Sequence, residues 1–396
     1  MRLTRLLPTL FVLPLVAHSI ACQKADDPAT PPTGDSEIIG GVDAKSAALD
    51  AIGALVYLNP QTQKQEELCT ATLITPKVVL TAKHCAREKT TEQVDGGPSQ
   101  VVETRFIDAL SISFVIGSDI SAPKHIVRVD SVETCNLANT GFMEQGCDVA
   151  IYRLKEAITD VQPLKVAGAI PGADEIGSRR IAIGYGIQEE NSASTLVGTR
   201  KLGSVTLRAV TGAPLKIQFP NGPDQYIDAL RETEGEAYVD NYEAQLRTFY
   251  DIPMLEGYEF YTGGIDGDAQ ICSGDSGGPL LAKINGELVV QGVASGTVSG
   301  VRLPCKFGAV YAGFGARAQE LLQHAIHDPC EGIPLEGRCE GDVAVRCTTV
   351  TEGPRRVTRT DCSDALQHCA APTVANPDAG VPEGGAPVMT TVSCGD

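Results

Sequence analysis

The apolar residues of this chain come in short runs punctuated by Gly, Pro, Asn and Asp, and that pattern excludes most architectures. Such runs stand at Ile52 to Leu58, Val78 to Thr81, Phe114 to Gly117, His125 to Val132, Val149 to Leu154, Ile181 to Tyr185 and Val205 to Val210. Each is long enough for a strand and too short for a helix, so together they predict an all-β sandwich or barrel. The sharpest local signal is Pro279 to Ile284, then Asn285-Gly286, then Glu287 to Val293. Asn-Gly supplies the positive φ values of a two-residue hairpin turn, so two paired strands are expected around it. Ala316 to Ile326 departs from the pattern: its Leu, Ala and Gln residues fit one amphipathic helix that ends near Pro329.

Length and composition divide the chain of 396 residues. Arg2 and Arg5 precede an apolar run from Leu6 to Ala17, followed by Ser19, Ile20 and Ala21, which are small or tolerated at a leader cleavage site. Residues 1–22 therefore read as a signal peptide, too short and wrongly flanked for a membrane span, and the chain is expected to be exported. Residues 23–37 are rich in Pro, Thr, Asp and Ser and read as a linker or propeptide. The folded body is expected at 38–328 and a separate cysteine-rich module at 329–396. The net charge of -18 argues against nucleic-acid partners and is read as a solvated acidic surface.

Thirteen cysteines in an exported chain read as disulfides, yet an odd number cannot all pair within one molecule. Cys22 is the one set apart, directly after the leader's small residues. Two readings stay open: a lipid-bearing cysteine of the bacterial lipoprotein kind, which would anchor the chain to the cell envelope, or a leader cysteine that is discarded or free. A membrane enters only through the first. Cys330, Cys339, Cys347, Cys362, Cys369 and Cys394 crowd into a segment poor in large apolar residues, which needs covalent staples to hold its shape. Their spacings lack paired Cys-x-x-Cys knuckles, so disulfides are favoured over zinc, with the connectivity open.

The strongest chemical signal is Cys272-Ser273-Gly274-Asp275-Ser276-Gly277-Gly278-Pro279-Leu280, a serine held between glycines just before a strand. Glycines let the backbone turn tightly and approach a substrate carbonyl. A serine is a weak nucleophile without a base to take its proton, and Thr81-Ala82-Lys83-His84-Cys85 offers one. Asp148-Val149-Ala150-Ile151 offers a carboxylate at the start of an apolar run. These stretches resemble the trypsin/chymotrypsin family of serine proteases: the nucleophile loop, the family's Thr-Ala-Ala-His-Cys with Lys83 replacing an alanine, and its Asp-Ile-Ala-Leu. The order His84, Asp148, Ser276 is also that of the family.

The resemblance spans about 38–328 and implies two packed six-stranded antiparallel Greek-key barrels with a C-terminal helix. It implies His84 as general base and acid, Asp148 as the residue that orients it, and Ser276 as nucleophile, with the amides of Gly274 and Ser276 as oxyanion hole. No metal or cofactor is called for. It further implies disulfides Cys69 to Cys85 and Cys272 to Cys305, and Cys135 is expected to pair with Cys147. Ile38-Ile39-Gly40-Gly41 resembles the family's mature start. A cut after Glu37 would free the Ile38 amine to pair with Asp275, making the chain a zymogen activated by another protease. Glu37 replaces the usual Arg or Lys, which argues against trypsin-like self-activation.

Gly184-Tyr185-Gly186 stands where the family has Gly-Trp-Gly. Counting back from Ser276 puts Gln270 at the bottom of the specificity pocket, where trypsins carry an aspartate. A neutral amide does not compensate a buried Lys or Arg, so a non-trypsin-like specificity is expected. Ser295, Gly296, Thr297 and Ala309 line the walls, and Thr297 and Ala309 stand where glycines keep a deep pocket open, which favours small or medium apolar substrate residues. Ser295 is expected to support Asp148. The extra length between Ala213 and Gly264, with Asp224, Asp228, Glu232, Glu234, Glu236, Asp240 and Glu243, reads as a solvated acidic insertion and not a calcium site. Two alternatives fit the residues less well. An esterase or lipase would place its serine on a strand-to-helix elbow among alternating helices and strands, and that context is missing. A catalytically silent adhesion or binding protein on the protease fold would have no need of all three triad residues.

Overall fold

The computed structural model describes residues 41–395 except 59–64, 94–98, 136, 138–140, 143–145, 188–197, 299–304, 329, 331–332, 335–336, 349–355, 364–367 and 371–392. The leader, the linker, Cys22 and Ile38 therefore lie outside the described residues.

Twelve strands build two closed barrels. The first uses β1 (Ile52–Leu58), β2 (Gln65–Thr75), β3 (Val78–Thr81), β4 (Ile112–Ile116), β5 (His125–Thr134) and β6 (Ala150–Leu154). The second uses β7 (Arg179–Gly184), β8 (Lys201–Ala209), β9 (Glu259–Thr262), β10 (Pro279–Ile284), β11 (Glu287–Thr297) and β12 (Ala309–Gly313). Around the first ring the order is β1-β2-β3-β6-β5-β4, and around the second it is β7-β8-β9-β12-β11-β10. Every neighbouring pair is antiparallel, so the two barrels repeat one connectivity. Closure removes the free edges that an open sheet of such apolar strands would expose. The six-stranded barrels expected from the resemblance are present.

The turn between β10 and β11 has Asn285 at φ 51 and Gly286 at φ 87, both left-handed as the Asn-Gly pair predicted. Helix α4 (Ala316–Ile326) occupies the predicted residues. Its apolar stripe, Ala318, Leu321, Leu322 and Ala325, joins the core of the first barrel. Arg153 of β6 donates to the Ala325 and His324 carbonyls at 3.4 Å and to Glu133 Oε1 at 2.6 Å, which ties the helix end to the same barrel.

The acidic insertion differs from its expectation. It folds into α1 (Pro214–Gln218), α2 (Pro223–Glu234) and α3 (Glu236–Phe249) inside a region whose other signals are all strand. Tyr226, Ile227 and Leu230 on α2 and Val239 and Leu246 on α3 pack into one apolar cluster. The spacing is helical, but only a few apolar residues carry it among many acids. Several of those acids are paired and not simply solvated: Arg247 bonds Asp224 and Glu243, and Arg231 bonds Asp240 and Glu243.

Beyond α4 the described residues form a three-stranded sheet, Arg338–Glu340, Val343–Thr348 and Arg356–Asp361, and a short pair, His368–Ala370 with Ser393–Gly395. Disulfides Cys330–Cys347, Cys339–Cys369 and Cys362–Cys394 supply the connectivity that spacing left open. Among the described residues of this segment the buried apolar side chains are Ala344 and Val345 with Cys330 and Cys362, so the staples substitute for apolar area.

Candidate active site

β3 is buried along its whole length and runs straight into the one-turn helix Lys83–Ala86, which carries His84. The disulfide Cys69–Cys85 fastens this turn to β2. Asp148 stands two residues before β6, just after Cys147, whose disulfide to Cys135 closes the intervening loop. The Asp148 carboxylate meets His84 twice. Oδ1 accepts the His84 backbone N–H at 2.9 Å, and Oδ2 lies 2.8 Å from Nδ1. An ionised carboxylate only accepts, so Nδ1 carries the proton of this pair and the lone pair of the neutral ring is left on Nε2. From the other barrel, Ser295 Oγ on β11 donates to Asp148 Oδ2 at 2.5 Å.

Asp148 is buried, and burial alone would raise its pKa. The His84 charge, with hydrogen bonds from His84 and Ser295, outweighs burial and holds the carboxyl below its ordinary range. The site keeps an anion beneath the imidazole.

Ser276 lies in the turn leading into β10, half-buried between buried neighbours. Its carbonyl accepts from Thr70 N of β2 at 2.8 Å, and the Gly274 carbonyl accepts from Thr70 Oγ1 at 2.9 Å. Two glycines make this docking feasible. Gly274 has φ +95, and a Cβ there would stand 2.6 Å from Gly186 Cα. Gly277 has φ +75, and its Cβ would stand 2.6 Å from the Thr70 carbonyl and 2.9 Å from Ala82 N, two residues before His84. The serine loop is thereby pressed against the element that carries the histidine. Gly274, Ser276 and Gly278 do match the spacing of a lipase elbow, but here the serine leads into a strand and not a helix.

Asp275 is fully buried and accepts from Cys272 N and Gly186 N, each at 2.9 Å. Burial nevertheless pushes its pKa up to about 7. Its expected partner Ile38 lies outside the described residues. Of the expected pocket residues, Gln270 is half-buried, Ser295 and Ala309 are buried, and Gly296 and Thr297 are half-buried. The Gln270 Oε1 atom is buried with no hydrogen-bond partner among the described residues. Disulfide Cys272–Cys305 joins the serine loop to the turn before β12, as the resemblance implied.

Cys69, His84 and Cys85 stand close enough to suggest a metal site, but both sulfurs are spent in the disulfide and cannot serve as thiolate ligands. Sequence reading missed Thr70, which holds the Gly274 carbonyl and accepts from Tyr185 N at 3.1 Å. Its position directly after Cys69 was the one available clue.

Two barrels of one connectivity, meeting at a His–Asp pair with a glycine-flanked serine at the same seam, define a two-barrel β-protein whose site is assembled between its halves. The family model described as Trypsin matches residues 38–315, well over half of the chain. The chain therefore belongs to the trypsin family of serine peptidases. It is similar to chymotrypsin-like elastase family member 1 of Felis catus, at 23% identity over 269 residues, covering 67% of this chain and 80% of the relative. The structure of neuropsin, a serine protease expressed in the limbic system of mouse brain, aligns at a TM-score of 0.46 and 16% identity, covering 72% of this chain and 98% of that one.

Proposed function

We propose that this chain is an exported serine endopeptidase that cleaves proteins or peptides after small or medium apolar residues. His84 takes the Ser276 hydroxyl proton at Nε2 as Oγ attacks the peptide carbonyl, then returns it to the leaving amine. Asp148 holds the tautomer and stabilises the imidazolium. The amides of Gly274 and Ser276 stabilise the oxyanion, and water hydrolyses the acyl-enzyme by the reverse sequence. The observation that carries this reading is the Ser295–Asp148–His84 hydrogen-bond chain, drawn from both barrels, with the Ser276 loop pressed through Gly277 against Ala82 just before His84.

The neutral, half-buried Gln270 supports a pocket that takes no cationic side chain. Thr297 and Ala309, each with a side chain where glycine would leave space, support a shallow one. Activation is a cut after Glu37 by a second protease, which frees the Ile38 ammonium to pair with Asp275. The buried Asp275 carboxyl, short of a counter-charge among the described residues, supports that step. Cys22 is either acylated, anchoring the enzyme to the envelope, or discarded with the leader or left free.

Mass spectrometry of the exported protein before and after a fluorophosphonate label tests the reading. A chain starting at Ile38 with one adduct on Ser276 is expected. A correctly cut chain that takes no label would instead be a protease-fold binding protein.

A further inference from the structure

The helical insertion touches chain neighbours of Gln270, Thr297 and Ala309, the residues assigned to the pocket. Gln218, the last residue of α1, donates Nε2–H to the Gly264 carbonyl at 2.8 Å, six residues before Gln270. The single hydroxyl proton of Tyr261 on β9 is shared between Gln218 Oε1 at 2.9 Å and the Phe307 carbonyl at 2.6 Å. Phe307 follows Cys305 and precedes Ala309 by two residues. Its ring takes the edge of Phe219, with centroids 5.0 Å apart and planes at 75°. Val298 and Val310, the neighbours of Thr297 and Ala309, pack in the same apolar cluster as Phe219 and the helical hairpin of α2 and α3.

The hairpin in turn fixes Phe219. Tyr250, at the end of α3, donates its hydroxyl to the Phe219 carbonyl at 2.8 Å, and Tyr226 of α2 lies against the Phe219 ring at 5.4 Å. Leu230, Val239 and Leu246 complete the cluster behind them. The ion pairs Arg247–Asp224 and Arg231–Glu243 cross between the helices, but exposed pairs contribute little and the apolar cluster is the rigid part. Contacts thus run without a break from α3 through Tyr250 and Phe219 to Phe307 and the pocket wall.

We propose that this insertion is a buttress that sets the width of the primary pocket, with Phe219 and Gln218 as positioning residues acting through Phe307 and Gly264. The inference rests on the assignment of Gln270, Thr297 and Ala309 to that pocket. An inward buttress keeps the pocket narrow and selects small apolar side chains. Removing the Phe219 ring leaves a space into which Phe307 and its loop relax, and the pocket widens.

The test uses the cut enzyme and a series of peptide coumarin amides that differ only in a P1 Ala, Val, Leu or Phe. In Phe219→Ala the ratio of kcat/KM for Phe over Ala should rise roughly ten-fold, the scale at which apolar pockets discriminate side-chain size, and the change should appear mainly in KM. Tyr261→Phe removes only the bridging hydroxyl and should move the ratio the same way by a smaller factor, which keeps the proposal testable if Phe219→Ala does not fold. Phe219→Leu should restore most of the wild-type ratio. Fluorophosphonate labelling of Ser276 should keep its rate throughout. A ratio unchanged within about two-fold in labelled variants, or an equal loss of kcat for every substrate, overturns the buttress alone. An unlabelled wild-type enzyme overturns both, because a site without acyl transfer has no substrate to select.

Discussion

Ser295 and Asp148 join the two barrels at the site: Ser295 Oγ on β11 of the second donates to Asp148 Oδ2, carried by the first, at 2.5 Å. The carboxylate that orients His84 is thus oriented from across the seam, and any shift of one barrel against the other is felt at the imidazole. Ser295→Ala removes a hydrogen bond to a charged acceptor, typically about 2 kcal/mol, so kcat should fall roughly thirty-fold. With that bond gone the Asp148 pKa rises toward its ordinary value, so the carboxylate is protonated earlier on acidification. A kcat within about two-fold of wild type in Ser295→Ala would contradict this role.

Asp148→Asn tests the tautomer argument directly. An amide can donate to Nδ1, which would shift the imidazole proton to Nε2, where it cannot accept from Ser276. In the serine-protease template this wrong tautomer costs on the order of 10⁴ in kcat, and a loss of similar size is expected here. The fold should survive, so thermal melting of the variant alongside its kinetics separates the two effects.

Arg200 is fully buried and gives its guanidinium to the N-terminal arm: to the carbonyls of Ala44 and Leu49 at 2.8 Å and Ile52 at 3.0 Å, and to Asp50 at 3.2 Å. Arg200→Met keeps much of the volume but strips those acceptors of their donors and leaves Asp50 without this partner. A destabilisation of about 3–5 kcal/mol is expected from urea unfolding, the scale for breaking a buried pair on one side. A loss under about 1 kcal/mol would mean that water replaces the guanidinium.

What the sequence disclosed follows from how local each signal is. The Asn285-Gly286 hairpin and the helix at 316–326 were legible because turn chemistry and a 3.6-residue stripe are written in adjacent residues. The serine loop and the histidine pentapeptide were legible because their glycines and cysteines are themselves local. Thr70 was not, since its role exists only once β2 has been brought against the serine loop, about two hundred residues further along the chain. The helices at 214–249 were hidden for a different reason. Each buries only a narrow stripe, and the acids around it match a solvated loop as well as an amphipathic helix until Arg231 and Arg247 are seen to cross-link them.

Asp275 makes the activation proposal measurable through pH. An unfolded chain releases this proton near pH 4, whereas burial raises the folded pKa to about 7. A raised folded pKa means that the folded state binds the proton more tightly, so its contribution to stability is complete below about pH 4 and is lost as pH rises through 7. The uncut chain should therefore lose stability across that window, and Asp275→Asn, which never ionises, should flatten that loss. Cleavage after Glu37 reverses the sign. An inserted Ile38 ammonium favours the carboxylate, pulls its pKa down, and shifts the contribution to the pH range above the unfolded value. Urea unfolding of cut and uncut chains between pH 4 and 8 reads the difference. Parallel pH dependences for the two forms would show that the Ile38 amine does not reach Asp275.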